Sequence, residues 1–326
     1  MNTLETVQLN YNGTPIYMSQ VGHLRRSDDA LNDRTELWNR FTEDGYLYLP
    51  GLLDRNQVLA ARAELCRRLD EAGMLDDDYP PAECVMIPEA KFNGAATGPF
   101  MPQLARHNGP LENVVYDGAM MEFYTEFLGG PVRHYDYTWF RAKTPGPGVA
   151  TTPHYDIVYM GRGTKDLYTS WTPFSDIPYE MGGLMVLENS HRLNEVVQTY
   201  GQTDVDLYCE NEGNAKATVE DAQAAGRELT AEENKGIRWN STGAYSSSAI
   251  DVQQKLGGRW LTAEYQMGDL LIFCMYMMHS SSDNQTNSIR LSSDTRYQLA
   301  SEPVDKRWIG DAPPNHTIRA KRGMVC

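Results

Sequence analysis

Apolar residues recur at helical spacing in the first third of the chain and at alternate positions after it. Between Asn56 and Gly73, Val58, Leu59, Leu65 and Leu69 fall on roughly one stripe, and Gly73 stands where a helix would stop. Thr35 to Glu43 reads as a shorter helix, and Pro110 to Leu128 as another that closes at Gly129-Gly130. The Asp76-Asp77-Asp78 run and Pro80-Pro81 mark a loop between them. From Val132 onward the period shortens to two, beginning with His134-Tyr-Asp-Tyr-Thr-Trp-Phe-Arg. Strands at this density predict a closed antiparallel jelly roll, so the fold class is mainly β with flanking N-terminal helices. The expected layout is a peripheral segment 1–34 and one domain over 35–326. That domain divides into helices at 35–130, a barrel at 131–300 and an acidic insert at 195–258, read either as a lid or as a solvated decoration.

Three polar residues interrupt this pattern in a way that points to chemistry. Thr-Thr-Pro-His154-Tyr-Asp156-Ile-Val-Tyr is rich in β-branched and aromatic residues and reads as a strand after Pro153, which would place His154 and Asp156 on one face. The apolar run Gly268 to Met278 reads as a second strand that ends in His279, with Leu271, Phe273, Met275 and Met277 on the face of His279. Two histidines and one carboxylate occupy one face of an octahedral metal and leave three positions open. Ser280 to Ser288 is polar and turn-rich, and Ile289 to Tyr297 alternates as a returning strand that carries Arg290 beside the metal strand. Ser292 shares the face of Arg290, so the pair can grip a carboxylate with a guanidinium fork and a hydroxyl. Asp294 and Arg296 read as surface ion-pairing residues.

These residues resemble the phytanoyl-CoA dioxygenase (PhyH) family of Fe(II)/2-oxoglutarate oxygenases. The resemblance rests on Phe41-Thr-Glu-Asp44-Gly45-Tyr46-Leu-Tyr-Leu-Pro50-Gly51, on His154-Tyr-Asp156, and on Trp171-Thr-Pro-Phe-Ser-Asp176 followed by Gly182-Gly183-Leu-Met-Val-Leu-Glu-Asn-Ser190-His191. Gly268-Asp269-Leu-Leu-Ile-Phe273 leading to His279, and then Arg290, complete it in the family's order. It implies a cupin-like double-stranded β-helix, with His154, Asp156 and His279 as both catalytic residues and iron ligands. It further implies 2-oxoglutarate as cosubstrate with O₂, Arg290 on its 5-carboxylate, Trp171 bordering the pocket, and Ser281 as a second candidate beside Ser292. Where the family has a Pro-Gly-Ser-His turn this chain has Glu188-Asn189-Ser190-His191, and Asn tolerates the positive φ that Gly would supply. His191 is therefore read as a turn residue, and His107 and His134 as ordinary residues with pocket lining as their alternative. Related halogenases lack the carboxylate that Asp156 supplies here, so the implied outcomes are hydroxylation, desaturation, ring formation or epimerisation, with succinate and CO₂ as co-products.

Composition narrows the partners. The 326 residues carry 29 basic against 44 acidic side chains, for a net charge of −15, which argues against nucleic acid and weakly against polyphosphate-bearing substrates. No stretch is long and apolar enough to span a bilayer, and the first residues lack a signal-peptide pattern, so a cytoplasmic protein is expected. The five cysteines, odd in number and unclustered, read as reduced thiols. The expected partner is a small-to-medium organic molecule of secondary or lipid-like metabolism, with Tyr135, Tyr137 and Met277 as candidate contacts and Tyr159 and Met275 beside them. A cupin-like metal-dependent isomerase or hydrolase, or a non-catalytic metal-binding protein, is the alternative. The isomerase or hydrolase has no use for a dicarboxylate clamp such as Arg290, and a metal-free binding or scaffold protein would be expected to have lost at least one of the three ligands, all of which are present.

Overall fold

The computed structural model describes residues 4, 6–88 and 99–326. Its strands run in chain order β1 (Asn10–Tyr11), β2 (Thr14–Pro15), β3 (Val21–His23), β4 (Tyr46–Leu49), β5 (Val132–His134), β6 (Trp139–Lys143) and β7 (Tyr168–Pro173). They continue with β8 (Leu184–Leu187), β9 (Leu207–Cys209), β10 (Trp260–Thr262), β11 (Leu270–Cys274), β12 (His279–Ser281), β13 (Arg290–Leu299) and β14 (Arg322–Met324). A larger sheet in the order β4-β11-β7-β13-β5, with β6 also on β13, faces a smaller one in the order β12-β8-β10-β3. This is the jelly roll that the strand density predicts.

The larger sheet is covered on both sides, which explains why β11 reads as a continuous apolar run. Leu271 and Phe273 point into the barrel with Tyr46, Tyr48, Trp171 and Val186. Leu270 and Ile272 point outward, where Leu47, Leu49, Phe140 and Tyr297 meet the N-terminal helices. Those helices are α1 (Arg34–Asp44), α2 (Arg55–Glu71), α3 (Gly109–Val115) and α4 (Gly118–Leu128). Asp33 and Asp54 cap α1 and α2 by accepting backbone N–H bonds. The single helix expected over Pro110–Leu128 is two, because Gly118 takes φ 49° and Asp117 accepts its N–H at the break. Leu59, expected on the buried stripe of α2, is 42% exposed.

Three further points concern the N-terminal segment, the insert and the cysteines. Residues 1–34 are not peripheral: β3 pairs in parallel with β10, and Leu9, Tyr11 and Ile16 are buried in the core. The insert, read as a lid or a solvated decoration, carries helices α6 (Asn194–Gln198), α7 (Ala215–Ala224), α8 (Ala231–Lys235) and α9 (Ala249–Leu256) after α5 (Ile157–Met160), and β9 pairs with the C-terminal β14. The cysteines are not all free thiols: Cys66 is joined to Cys84 and Cys209 to Cys326, which leaves Cys274 as the free one. Among the described residues no helix is long and apolar enough to cross a membrane.

Candidate active site

His154 and His279 meet as partners in one antiparallel bridge. The backbone N–H of each donates to the carbonyl of the other at 3.2 Å, and their rings lie 4.1 Å apart. The strand expected after Pro153 is only this one-residue bridge. Beyond it the chain turns at Asp156, which has helical φ and ψ of −65° and −28°, into α5, whose Ile157, Val158 and Met160 are buried. The turn brings Asp156 Oδ1 to 3.7 Å from His154 Nε2 and 3.8 Å from His279 Nε2. His279 opens β12 in the smaller sheet rather than ending β11, so the predicted common face of residues 271–279 breaks. Met277 stays in the barrel interior while Met275 packs in a separate core.

Each donor atom is fixed for a metal. His154 Nδ1 sits 2.7 Å from Thr152 O and His279 Nδ1 sits 3.0 Å from Met277 O, so both Nδ1 atoms carry the proton and both Nε2 lone pairs face inward. Asp156 Oδ2 accepts from the Thr169 hydroxyl and from Arg296 Nη2 at 2.9 Å, leaving Oδ1 toward the imidazoles. Burial alone would raise the Asp156 carboxyl, but Arg296 and His279 hold it far below the usual range. Burial, and then His154, push the His279 imidazole down to about 3. The three donor atoms lie within 4.8 Å of one another, all buried, and their chemistry fits Fe(II). Arg296 and Asp294 are therefore not surface residues. They are 3% and 5% exposed on the inward face of β13, where Arg296 pairs with a metal ligand and Asp294 with Arg141.

The other end of this face is built around Arg290, 1% exposed. It donates to Gly182 O at 2.6 Å and Ser292 Oγ at 3.1 Å, and its guanidinium lies 5.7 Å from the Trp171 ring centroid. Gly182 is required there, since φ is 74° and a Cβ would come within 2.4 Å of the Ser282 and Asp283 carbonyls. Ser292 is thus the hydroxyl beside Arg290. Ser281 instead accepts from Lys143 Nζ at 3.0 Å and Thr151 N at 2.9 Å. Lys143, directly across the sheet from Arg290, is itself buried, and burial followed by Arg290 drives its ammonium well below the usual value. Arg290 Nε and Trp171 Nε1 are buried donors with no acceptor among the described residues. A dicarboxylate would supply the missing acceptors, so the chemistry of these residues fits 2-oxoglutarate.

A cavity of about 350 Å³ opens over the metal ligands, lined by Phe100, Trp139, Arg141, Tyr159, Arg296 and His316 among others. Of the expected substrate contacts Tyr159 lines it, whereas Tyr135, Tyr137 and Met277 do not. Tyr135 and Tyr137 pack in an outer core, and Met277 sits against Ser190 inside the barrel. His191 approaches Thr42 O at 3.4 Å behind Asn189, whose φ of 61° fits its reading as a turn residue. His134 stacks on Tyr116. Arg141, Lys143, Arg296 and His316 were missed. The first three stand at alternate positions on β13, the strand of Arg290, and on its neighbour β6, but alternation alone does not say which set faces inward. His316 carried no signal: it lies beyond the last barrel strand, held by Asp206 of the insert through Nδ1 at 3.0 Å.

The fold agrees with that of known proteins. The phytanoyl-CoA dioxygenase (PhyH) family matches residues 41–292. The 1-deoxypentalenic acid 11-beta-hydroxylase of Streptomyces exfoliatus is 25% identical over 281 residues, covering 83% of each chain, and that of Streptomyces arenae is 23% identical over 284, also covering 83% of each. EctD from S. alaskensis, solved with 2-oxoglutarate and 5-hydroxyectoine, superposes with a TM-score of 0.54 at 14% identity, over 89% of this chain and 87% of that one. The carbocyclase SnoK from nogalamycin biosynthesis gives 0.53 at 16%, over 82% and 85%. With the family's motifs spread across both sheets and its iron and cosubstrate chemistry matched by a buried triad and an arginine pocket, the chain belongs to the phytanoyl-CoA dioxygenase family of Fe(II)/2-oxoglutarate oxygenases.

Proposed function

We propose that this oxygenase hydroxylates a small-to-medium, largely apolar organic molecule, with His154, Asp156 and His279 holding Fe(II) and Arg290 holding the 5-carboxylate of 2-oxoglutarate. The observation that carries it is the pairing on one barrel face of a complete buried triad with two buried donors that lack acceptors, Arg290 Nε and Trp171 Nε1. Fe(II) with 2-oxoglutarate and O₂ supplies the oxidising power, releasing succinate and CO₂. The protein's own residues orient and exclude. Thr169 and Arg296 fix Asp156, Thr152 O and Met277 O fix the imidazoles, Ser292 and Gly182 O fix Arg290, and Trp139, Tyr159 and Phe100 wall the substrate side. The two Streptomyces relatives are named as hydroxylases, which supports hydroxylation as the outcome.

The test is an anaerobic titration with Fe(II) and 2-oxoglutarate, following the visible charge-transfer band of the chelate. The band is expected in the wild type and, in Arg290→Ala, only at much higher 2-oxoglutarate. Fe(II) binding without the band would overturn the oxygenase assignment of the site, and no Fe(II) binding would overturn the ligand set.

A further inference from the structure

We propose that the substrate carries a carboxylate and that the guanidinium of Arg141 reads it. This deepens, and rests on, the reading of the site given above. Arg141 lies on the inward face of β6, opposite Ser292, and lines the cavity over the metal ligands. Its Nε donates to Asp294 Oδ2 at 3.2 Å, and Phe100 stacks at 5.6 Å from its guanidinium carbon. Those two contacts aim the group. They leave both terminal amino groups without a hydrogen-bond partner among the described residues, on a side chain still 22% exposed. A guanidinium tethered through Nε and open at its far edge presents two parallel N–H donors, the geometry that matches a carboxylate.

The rest of the lining, with Arg296 and His316 and an acid already committed, favours an anion over a cation. Arg296 Nη2 is committed to Asp156, and its guanidinium covers Trp139 at 4.5 Å. His316 has Nδ1 on Asp206, and its Nε2 makes no hydrogen bond among the described residues. Asp156 is the one acid among the lining residues, and it is already held by Arg296, Thr169 and its role toward the metal. The other two cations of this face belong elsewhere, since Arg290 serves the cosubstrate end and Lys143 is bound to Ser281 and the Ser282 carbonyl. A chain with a net charge of −15 repels anions at long range, so an anionic substrate needs such a local positive point. Phe100, Trp139, Tyr159 and Met160 give the remaining wall a large apolar share beside Thr151 and Thr152, and about 350 Å³ is near the small end of ligand cavities. The cavity therefore suits a compact hydrocarbon skeleton with one carboxylate.

The experiment uses full-length enzyme loaded anaerobically with Fe(II) and 2-oxoglutarate. Fused-ring and cycloalkane monocarboxylic acids are titrated, each beside the primary alcohol of the same skeleton, following perturbation of the chelate band. Acids are expected to bind roughly 10- to 100-fold tighter than their alcohols, the range of a charge-assisted hydrogen bond. Arg141→Met is expected to erase that preference with 2-oxoglutarate affinity unchanged. Arg141→Lys, which keeps a cation beside Asp294, retains part of it. Alcohols binding as well as acids, or no acid perturbing the band, overturns the proposal. So does a loss of 2-oxoglutarate affinity in Arg141→Met with the acid preference intact, because Arg141 would then serve the cosubstrate. Absence of the band in the wild type is a different failure, that of the underlying iron and cosubstrate reading, which takes this proposal with it.

Discussion

The two ends of the barrel's inward face are built on opposite principles. At the metal end the protein answers its own charges: Asp156 is held by Arg296 and Thr169, and both histidine Nδ1 atoms have carbonyl partners. At the arginine end it does not. Arg290 and Lys143 are neighbours on adjacent strands, buried, and among the described residues neither has a carboxylate in an ion pair. Burial pushes the Arg290 guanidinium down to about 10, with Arg141 adding to the effect. The difference teaches where the fold depends on its own residues and where it waits for a ligand. A metal end finished by the protein holds its geometry in advance, whereas the buried arginine end carries a desolvation cost that a bound anion would offset.

The largest way to break this comparison is Asp156→Ala. It abolishes Fe(II) binding and leaves Arg296 buried without its partner, a loss on the order of 3–5 kcal/mol in folding stability. Chemical denaturation of the metal-free protein measures it. The double variant Asp156→Ala/Arg296→Met should regain most of that stability while still failing to bind Fe(II). If the single variant is as stable as the wild type, the Arg296 pairing is not what finishes this end.

Arg290→Met probes the opposite end and should behave in the opposite sense. Removing a buried cation with no acid partner leaves the ligand-free protein as stable as the wild type or more so, since its desolvation cost goes too. Affinity for 2-oxoglutarate should fall by two orders of magnitude or more, in line with ~2–5 kcal/mol for truncating one partner of a buried charged pair. Fe(II) affinity should not move. A destabilised apo Arg290→Met would show that Gly182 O and Ser292 already satisfy the arginine.

The two ends also differed in how much the sequence disclosed. His154, Asp156, His279 and Arg290 were legible because their residue types and order admit few other uses. Their supporting partners were not, because alternation has no sign. Arg290, Ser292, Asp294 and Arg296 alternate with Leu291, Ser293, Thr295 and Tyr297, and the polar set is normally the solvent face. Here the polar set faces the barrel interior, and the outward set lies under the N-terminal helices. The His154-x-Asp156 spacing suggested a strand, yet burial of Ile157, Val158 and Met160 draws the segment into a turn of helix. The cysteine pairs join residues 18 and 117 apart, separations that local reading cannot connect.

The metal end also predicts a pH dependence for the metal-free protein. His279 is held down to about 3 against an ordinary 6.5, so the folded state binds fewer protons than the unfolded one between those values. Its contribution is complete above pH 6.5 and is lost as pH falls toward 3. His279→Gln should flatten that part of a stability-against-pH curve recorded with chelator present. An unchanged slope would show that His279 is not buried as a neutral imidazole.

The smallest expected effect lies outside both ends, in the insert. Its Val205 N–H donates to Val158 O and its Tyr245 N–H to Pro153 O, so it packs on the loop that carries the metal ligands. Asp206 gathers Arg307, Lys321 and His316, which ties the insert to the C-terminal segment and to one wall of the cavity. We propose on that basis that residues 195–258 close the substrate side and leave the metal and cosubstrate ends alone. Two measurements separate this from mere decoration. Asp206→Asn should weaken binding of the preferred monocarboxylic acid a few-fold, about the worth of one hydrogen bond, with Fe(II) and 2-oxoglutarate affinities unchanged. Proteolysis within 200–240 should slow when metal, cosubstrate and acid are all present. If cleavage runs at the same rate with the site filled or empty, the insert is a rigid shoulder of the barrel and the closing role is lost.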